Sequence, residues 1–205
     1  REFVELLSQE TEAREIPAGT LGERDKRLDH GTMIPLWFLD HYYKDYQVVR
    51  IGLSGLPLSM HYTVGQCIKT VSGLLGRRTA IIASGDLSHK LKEDGPYGFQ
   101  AEGPQYDSRI MDVMGRGDFG ELFVFSEEFC SKAAECGHRS FVIMAGALDR
   151  LKVKSEKLSY EGPFGVGYGI CTYETECRDP QRNFLDQHEE QVRRAAEERR
   201  GKEDA

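Results

Sequence analysis

Two of the six histidines in this 205-residue chain stand where chemistry is done. His89 closes the run Ile82-Ala83-Ser84-Gly85-Asp86-Leu87-Ser88-His89, in which an apolar stretch gives way to a Ser-Gly pair that lets the backbone turn. In open α/β sheets, active sites lie just beyond the carboxyl ends of strands, which is where this histidine falls. Asp86 precedes it by three residues. If the segment forms a helical turn, that carboxylate reaches the imidazole, fixes its tautomer and raises its basicity, as suits a general base near neutral pH. The same residues also suit a plainer role, with Ser or Asp capping a helix and the histidine on the surface.

His30 lies in Asp29-His30-Gly31-Thr32-Met33-Ile34-Pro35-Leu36, at a loop-to-helix junction where backbone N–H groups are unpaired and glycine permits close approach. Here too there is an alternative, with Asp29 as the helix cap and His30 merely exposed. A third cluster, Ala133-Ala134-Glu135-Cys136-Gly137-His138-Arg139-Ser140, gathers an acid, a thiol, an imidazole and a guanidinium around one glycine. On spacing alone, Glu135 reads as a solvated carboxylate at a helix end. Two Gly/Pro/aromatic stretches, 92–99 and 160–168, suit either pocket walls or ordinary turns. No phosphate-cradling loop, dinucleotide fingerprint or Gly-x-Ser-x-Gly elbow is present.

These residues need elements to hold them. Helical spacing covers roughly 1–13, a stretch after Gly31 containing Ile34 to Leu39, and about 60–75, with a loop at Ile16-Pro17-Ala18-Gly19-Thr20-Leu21-Gly22. Gln47 to Leu53 and Arg78 to Ser84 read as continuous apolar strands. Strand, helix and strand in succession point to a βαβ unit in a covered sheet. Mostly helical sequence follows from 104 to 149, and Val166 to Tyr173 reads as a late strand. From Arg178 onward the composition shifts to interleaved Arg and Glu, the mark of an exposed helix or connector. The first residues already read as the middle of a helix, so the natural protein is expected to start earlier.

Composition bounds the function. A net charge of −7 argues against a nucleic-acid partner, and no apolar run approaches the ~18 residues of a membrane span. No signal peptide is recognisable, so the cytoplasm is the expected address. Five cysteines without a Cys-x-x-Cys spacing read as reduced thiols, not as a zinc ribbon or a disulfide framework.

Taken together, the blocks Leu28 to Leu36 and Ile81 to His89 resemble the LigB-like class III extradiol ring-cleavage dioxygenases. The later blocks, Lys132 to Gly137 and Ser159 to Tyr168, resemble the subgroup often fused to an AMMECR-type domain and associated with the AmmeMemoRadiSam system. The likeness runs from about residue 1 to 175, with four blocks in order. It implies an α/β fold, a three-layer sandwich with a mixed central sheet, of which residues 1–175 form the C-terminal two-thirds and 176–205 a charged helical connector. It implies a non-haem Fe(II) held by two histidines and a glutamate. Glu135 matches the metal glutamate, His89 the acid–base histidine with Asp86 beside it, and His30 the histidine near substrate and dioxygen. The two metal histidines belong to an N-terminal portion outside this chain; His41, His61, His138 and His188 do not stand in their context. His30, His89 and Glu135 are expected to converge on one cleft beside an uncovered apolar face. The implied partners are a small aromatic diol and O2, with a fused AMMECR-type domain in the full-length protein; assembly into a homo-oligomer is left open. The competing readings on the same scaffold are a Memo-like, non-catalytic partner of a radical enzyme system and a metal-dependent hydrolase.

Overall fold

The computed structural model describes residues 1–20 and 27–203; Leu21 and Gly22 of the expected loop, and 204–205 of the expected connector, lie outside the described residues. The elements run α1 (Glu2–Glu12), α2 (His30–Leu39), α3 (Leu58–Leu74), α4 (Glu102–Arg116), a 3-10 helix (Phe119–Val124), α5 (Glu127–Ala133), α6 (His138–Ala147), β1 (Leu151–Glu161), β2 (Tyr168–Arg178) and α7 (Phe184–Glu203). They divide between two compact units, one formed by Arg1–Leu87 with Glu135–Ala147 and the other by Ser88–Ala134 with Leu148–Ala205. Helix and sheet are both present, as expected, and no described helix is long and apolar enough to cross a membrane.

In the first unit α3 packs on α6 and α1 on α3. Of α6, His138 and Phe141 through Ala147 are all buried, so it is a core helix enclosed on nearly every side. It meets α3 through a pair of glycines. A Cβ on Gly146 would lie 1.9 Å from the Tyr62 carbonyl oxygen, and one on Gly65 would lie 2.0 Å from that of Ile143. Only glycine lets the two backbones come this close.

The expected strands 47–53 and 78–84 join no hydrogen-bonded ladder among the described residues. A continuous apolar run forms a buried strand only when partners flank it, and none is supplied here. Its side chains stay exposed instead: Val48, Val49, Ile51, Leu53, Ile81 and Ile82, with Trp37 and Phe38 of α2. An uncovered apolar surface is therefore present on this unit.

The second unit holds the one sheet among the described residues, an antiparallel pair with Tyr160 opposite Gly169 and Glu161 opposite Tyr168. α4 lies against it, with Tyr106, Ile110, Val113, Phe119 and Leu122 in the core. The late strand expected at 166–173 is found as β2, starting two residues later and ending five residues later. Its partner β1 had no expectation, although Leu151, Val153 and Ser155 alternate with charged residues as a half-buried strand does. β2 also runs on to Arg178, past position 176 where the connector was expected to begin. Beyond it Phe184 packs edge-on against Phe119, Leu185 is buried and Arg182 donates to the Gly117 carbonyl at 2.8 Å. From Gln191 to Lys202 every residue is exposed.

Candidate active site

Three of the sequence blocks meet in the first unit, and hydrogen bonds lace them in series. Asp29 caps α2, its Oδ1 accepting the Thr32 N–H at 2.8 Å; hydrogen bonding from the Thr32 side chain first, and from its backbone N–H second, holds the Asp29 carboxyl below its ordinary range. The plain reading of Asp29 is thus correct, and His30 is the exposed first residue of the helix. Pro35 stands one turn further on. Lacking an N–H, it leaves the Gly31 carbonyl without its helical donor, and the Ser84 hydroxyl donates there instead at 2.7 Å. A proline inside α2 thus ties the His30 block to the Ser84-Gly85-Asp86 block.

The second link joins that block to Glu135-Cys136-Gly137. The Cys136 N–H donates to the Asp86 carbonyl at 3.3 Å, and the Asp86 N–H donates to Cys136 Sγ at 3.2 Å. The two chains approach at glycines: a Cβ on Gly85 would lie 2.3 Å from the Gly137 Cα. Burial pushes the Cys136 thiol above its usual range, so it is held protonated near neutral pH.

Glu135 Oε2 accepts the His138 N–H at 2.6 Å at the start of α6, where the helix dipole favours a carboxylate. The solvated glutamate expected on spacing alone is therefore corrected: Glu135 is half-buried and engaged. With Leu53, Ser54, Gly55, Cys136 and Arg139 it lines a cavity of about 280 Å³, just below the ~300–1,000 Å³ range of drug-sized ligand sites. Spacing alone did not single out Ser54 or Arg139 as cavity residues. The signal for Ser54 was the apolar run ending at Gly52-Leu53-Ser54-Gly55, whose strand-end position equals that of Ser84.

His89 belongs to the second unit. Residues 84–90 are irregular, with bends at 87 and 89, and form no helical turn. The His89 N–H instead donates to the Ala133 carbonyl at 3.2 Å, and its half-buried ring stacks on Tyr97 at 5.0 Å between centroids. The two Gly/Pro/aromatic stretches meet around this loop. The Leu91 N–H donates to the Gly165 carbonyl, the Gly167 N–H to the Ser88 carbonyl, and Lys92 Nζ to the Pro163 carbonyl. They are turns of the β1–β2 connection and of the His89 loop.

The ligand-type side chains beside the Asp86–Cys136 link in the first unit include Asp86, Glu135 and Cys136. Among the imidazoles, His61 is buried with Nδ1 against the Pro57 carbonyl at 3.0 Å and Nε2 near Ser54 Oγ at 3.4 Å. His41 Nδ1 lies 2.7 Å from the Trp37 carbonyl, His138 is buried in α6, and His188 stacks on Phe123. The described residues thus fit the carboxylate of a two-histidine, one-carboxylate site and do not supply its two imidazoles.

Over residues 2–171 the sequence matches the family profile described as the catalytic LigB subunit of aromatic ring-opening dioxygenase. It is 40% identical over 152 residues to Protein CA_C1420 of Clostridium acetobutylicum, an alignment covering 74% of this chain and 32% of that protein. The chain spans about a third of the length of this curated relative.

Proposed function

The chain belongs to the LigB family of aromatic ring-opening dioxygenases, and from that membership we propose that it forms part of a cytoplasmic extradiol enzyme opening a catechol-type ring with O2. The observation that carries the proposal is the family match over 2–171, which spans all three blocks laced together in the first unit. The full domain is read as a three-layer sandwich in which 47–53 and 78–84 are sheet strands, with 176–205 leading to an AMMECR-type domain. The exposed apolar side chains of those two runs support this reading.

Glu135 is assigned as the carboxylate ligand of Fe(II), with the two imidazoles contributed from outside this chain. Fe(II), when bound, supplies the redox chemistry that couples O2 to the ring. The chain's own residues do the rest. The cavity admits a single ring and limits water around it. The His138 amide holds one oxygen of Glu135 and so fixes the plane of its carboxylate. His89 is the acid–base group, removing a proton from a ring hydroxyl and returning one to the opened product. His30 donates a hydrogen bond to charge that develops on the substrate.

Oxygen uptake by the full-length, iron-loaded protein over a panel of single-ring diols tests the proposal. Uptake matched by ring-opened product is the expected result, and His89→Ala should lower turnover by ~10²–10⁴ with iron content unchanged. A protein that holds iron yet consumes no oxygen with any such diol refutes the enzymatic reading. One that holds none and consumes none favours the binding-partner alternative.

A further inference from the structure

Asp107, in the first half of α4, is 1% exposed. A carboxylate in such a place is costly to keep, and an apolar residue of similar size would suit a core helix better. Its two oxygens are both used, and both bonds lead away from α4. Oδ1 accepts the Ser88 N–H at 2.7 Å and Oδ2 accepts the Tyr160 hydroxyl of β1 at 2.7 Å. Burial raises the Asp107 carboxyl above its usual range, opposed by these two bonds and by attraction to His89, which is near enough for its charge to be felt.

The rest of the His89 loop is pinned in the same way. Ser88 Oγ donates to the Ala133 carbonyl at 2.8 Å and accepts the Lys90 N–H at 2.9 Å. The Ser88 carbonyl accepts from Gly167, and the His89 N–H is fixed on Ala133. Every polar backbone atom of Ser88 is therefore engaged, and its amide is held by a buried carboxylate. Because Ser88 immediately precedes His89, the direction of that amide sets where the imidazole leaves the chain.

We infer that Asp107 is a positioning residue for His89, anchoring the Ser88 amide N–H one residue before it, with Tyr160 fixing the carboxylate that does so. The functional meaning rests on the reading of His89 as the acid–base group; the anchoring itself does not. α4 thus serves as the rigid base of the loop and Tyr97 as the plate on which the ring rests. A shift of the anchor moves the ring off Tyr97.

Two measurements on the full chain test this. Histidine labelled with carbon-13 at Cε1 gives six signals, and His89→Gln identifies the one from His89. Hydrogen exchange compares a peptide covering 87–91 with one covering 106–114. In Asp107→Ala the His89 signal should move and exchange in 87–91 should quicken roughly tenfold, the ratio for ~1.4 kcal/mol and close to the value of a hydrogen bond to a charged group. The 106–114 peptide should not change. Asp107→Asn, which keeps one acceptor, should restore part of both effects. An unmoved His89 signal, or equal acceleration in both peptides, overturns the inference, the latter because the carboxylate would then only hold the fold together. If Asp107→Ala does not fold, Tyr160→Phe decides: it too must move the His89 signal, and an unmoved signal there overturns the inference. Turnover of His89→Ala tests the acid–base reading separately, so the two can fail independently.

Discussion

Replacing Gly146 by alanine tests the claim that glycine sets the distance between α3 and α6. The new Cβ would lie 1.9 Å from the Tyr62 carbonyl oxygen and 2.7 Å from its carbon. Ordinary contact begins at 3.4 Å, so the helices must part by about 1.5 Å at this point. The obstacle is backbone and cannot rotate aside. Overpacking of this kind costs ~1–3 kcal/mol, and the better helix propensity of alanine returns up to ~1 kcal/mol. A net loss of ~2 kcal/mol lowers the melting temperature of a chain this size by roughly 4–8 °C. Gly73 supplies the control: it lies in α3, and a Cβ there meets nothing within 4 Å. Gly73→Ala therefore carries only the propensity gain and should match or exceed wild type. Urea unfolding and thermal melts of the two variants provide the assay. If Gly146→Ala is as stable as Gly73→Ala, the close crossing does not exist in solution and the placement of Glu135 at the head of α6 loses its support.

Truncation after Glu174 removes the end of β2, the Arg182 bond to Gly117 and the buried Leu185. Loss of a buried aliphatic side chain alone costs ~2–5 kcal/mol; a melting temperature unchanged within two degrees would show that this segment does not pack. Truncation after Val192, which removes only exposed helix, should leave it unchanged. The raised Cys136 thiol should alkylate with a rate still climbing at pH 9, the ordinary value for a thiol, and a midpoint below that pH would contradict the upward shift. For Asp107 the folded value lies above the unfolded 3.8, so its contribution is present in acid and lost as pH rises through the folded value. Wild type should therefore gain on the non-titrating Asp107→Asn as pH falls from 7 toward 4; a constant gap in urea midpoints would refute the shift. Pro35→Ala gives the Gly31 carbonyl back its helical donor, and the Ser84 hydroxyl should lose its hold there, seen as faster exchange in a peptide covering 82–86.

The sequence by itself determined the helices that carry a stripe or a cap: α1, α2 behind Asp29, α3, and the helical stretch holding α4 to α6. It also marked Asp86 and His89, because a polar residue after an apolar run and a glycine is legible in one dimension, and His30 at a loop-to-helix junction, whereas Glu135 was singled out only by the family resemblance. Pro35 was legible too, though not its consequence, since the carbonyl it releases finds Ser84 only across 53 residues of chain. β1 was missed because its outward face is charged and its inward face small, so its strand character depends on β2 pairing with it. The runs at 47–53 and 78–84 show the reverse: their strand pattern is clear, yet a strand is a relation between segments, and no segment among the described residues provides it. Tertiary structure alone decided that Glu135 caps α6, that the Asp86 backbone pairs with Cys136, and that a buried Asp107 stands behind the loop. Each depends on which backbone groups lack a partner once the chain has folded, a quantity that local pattern does not encode.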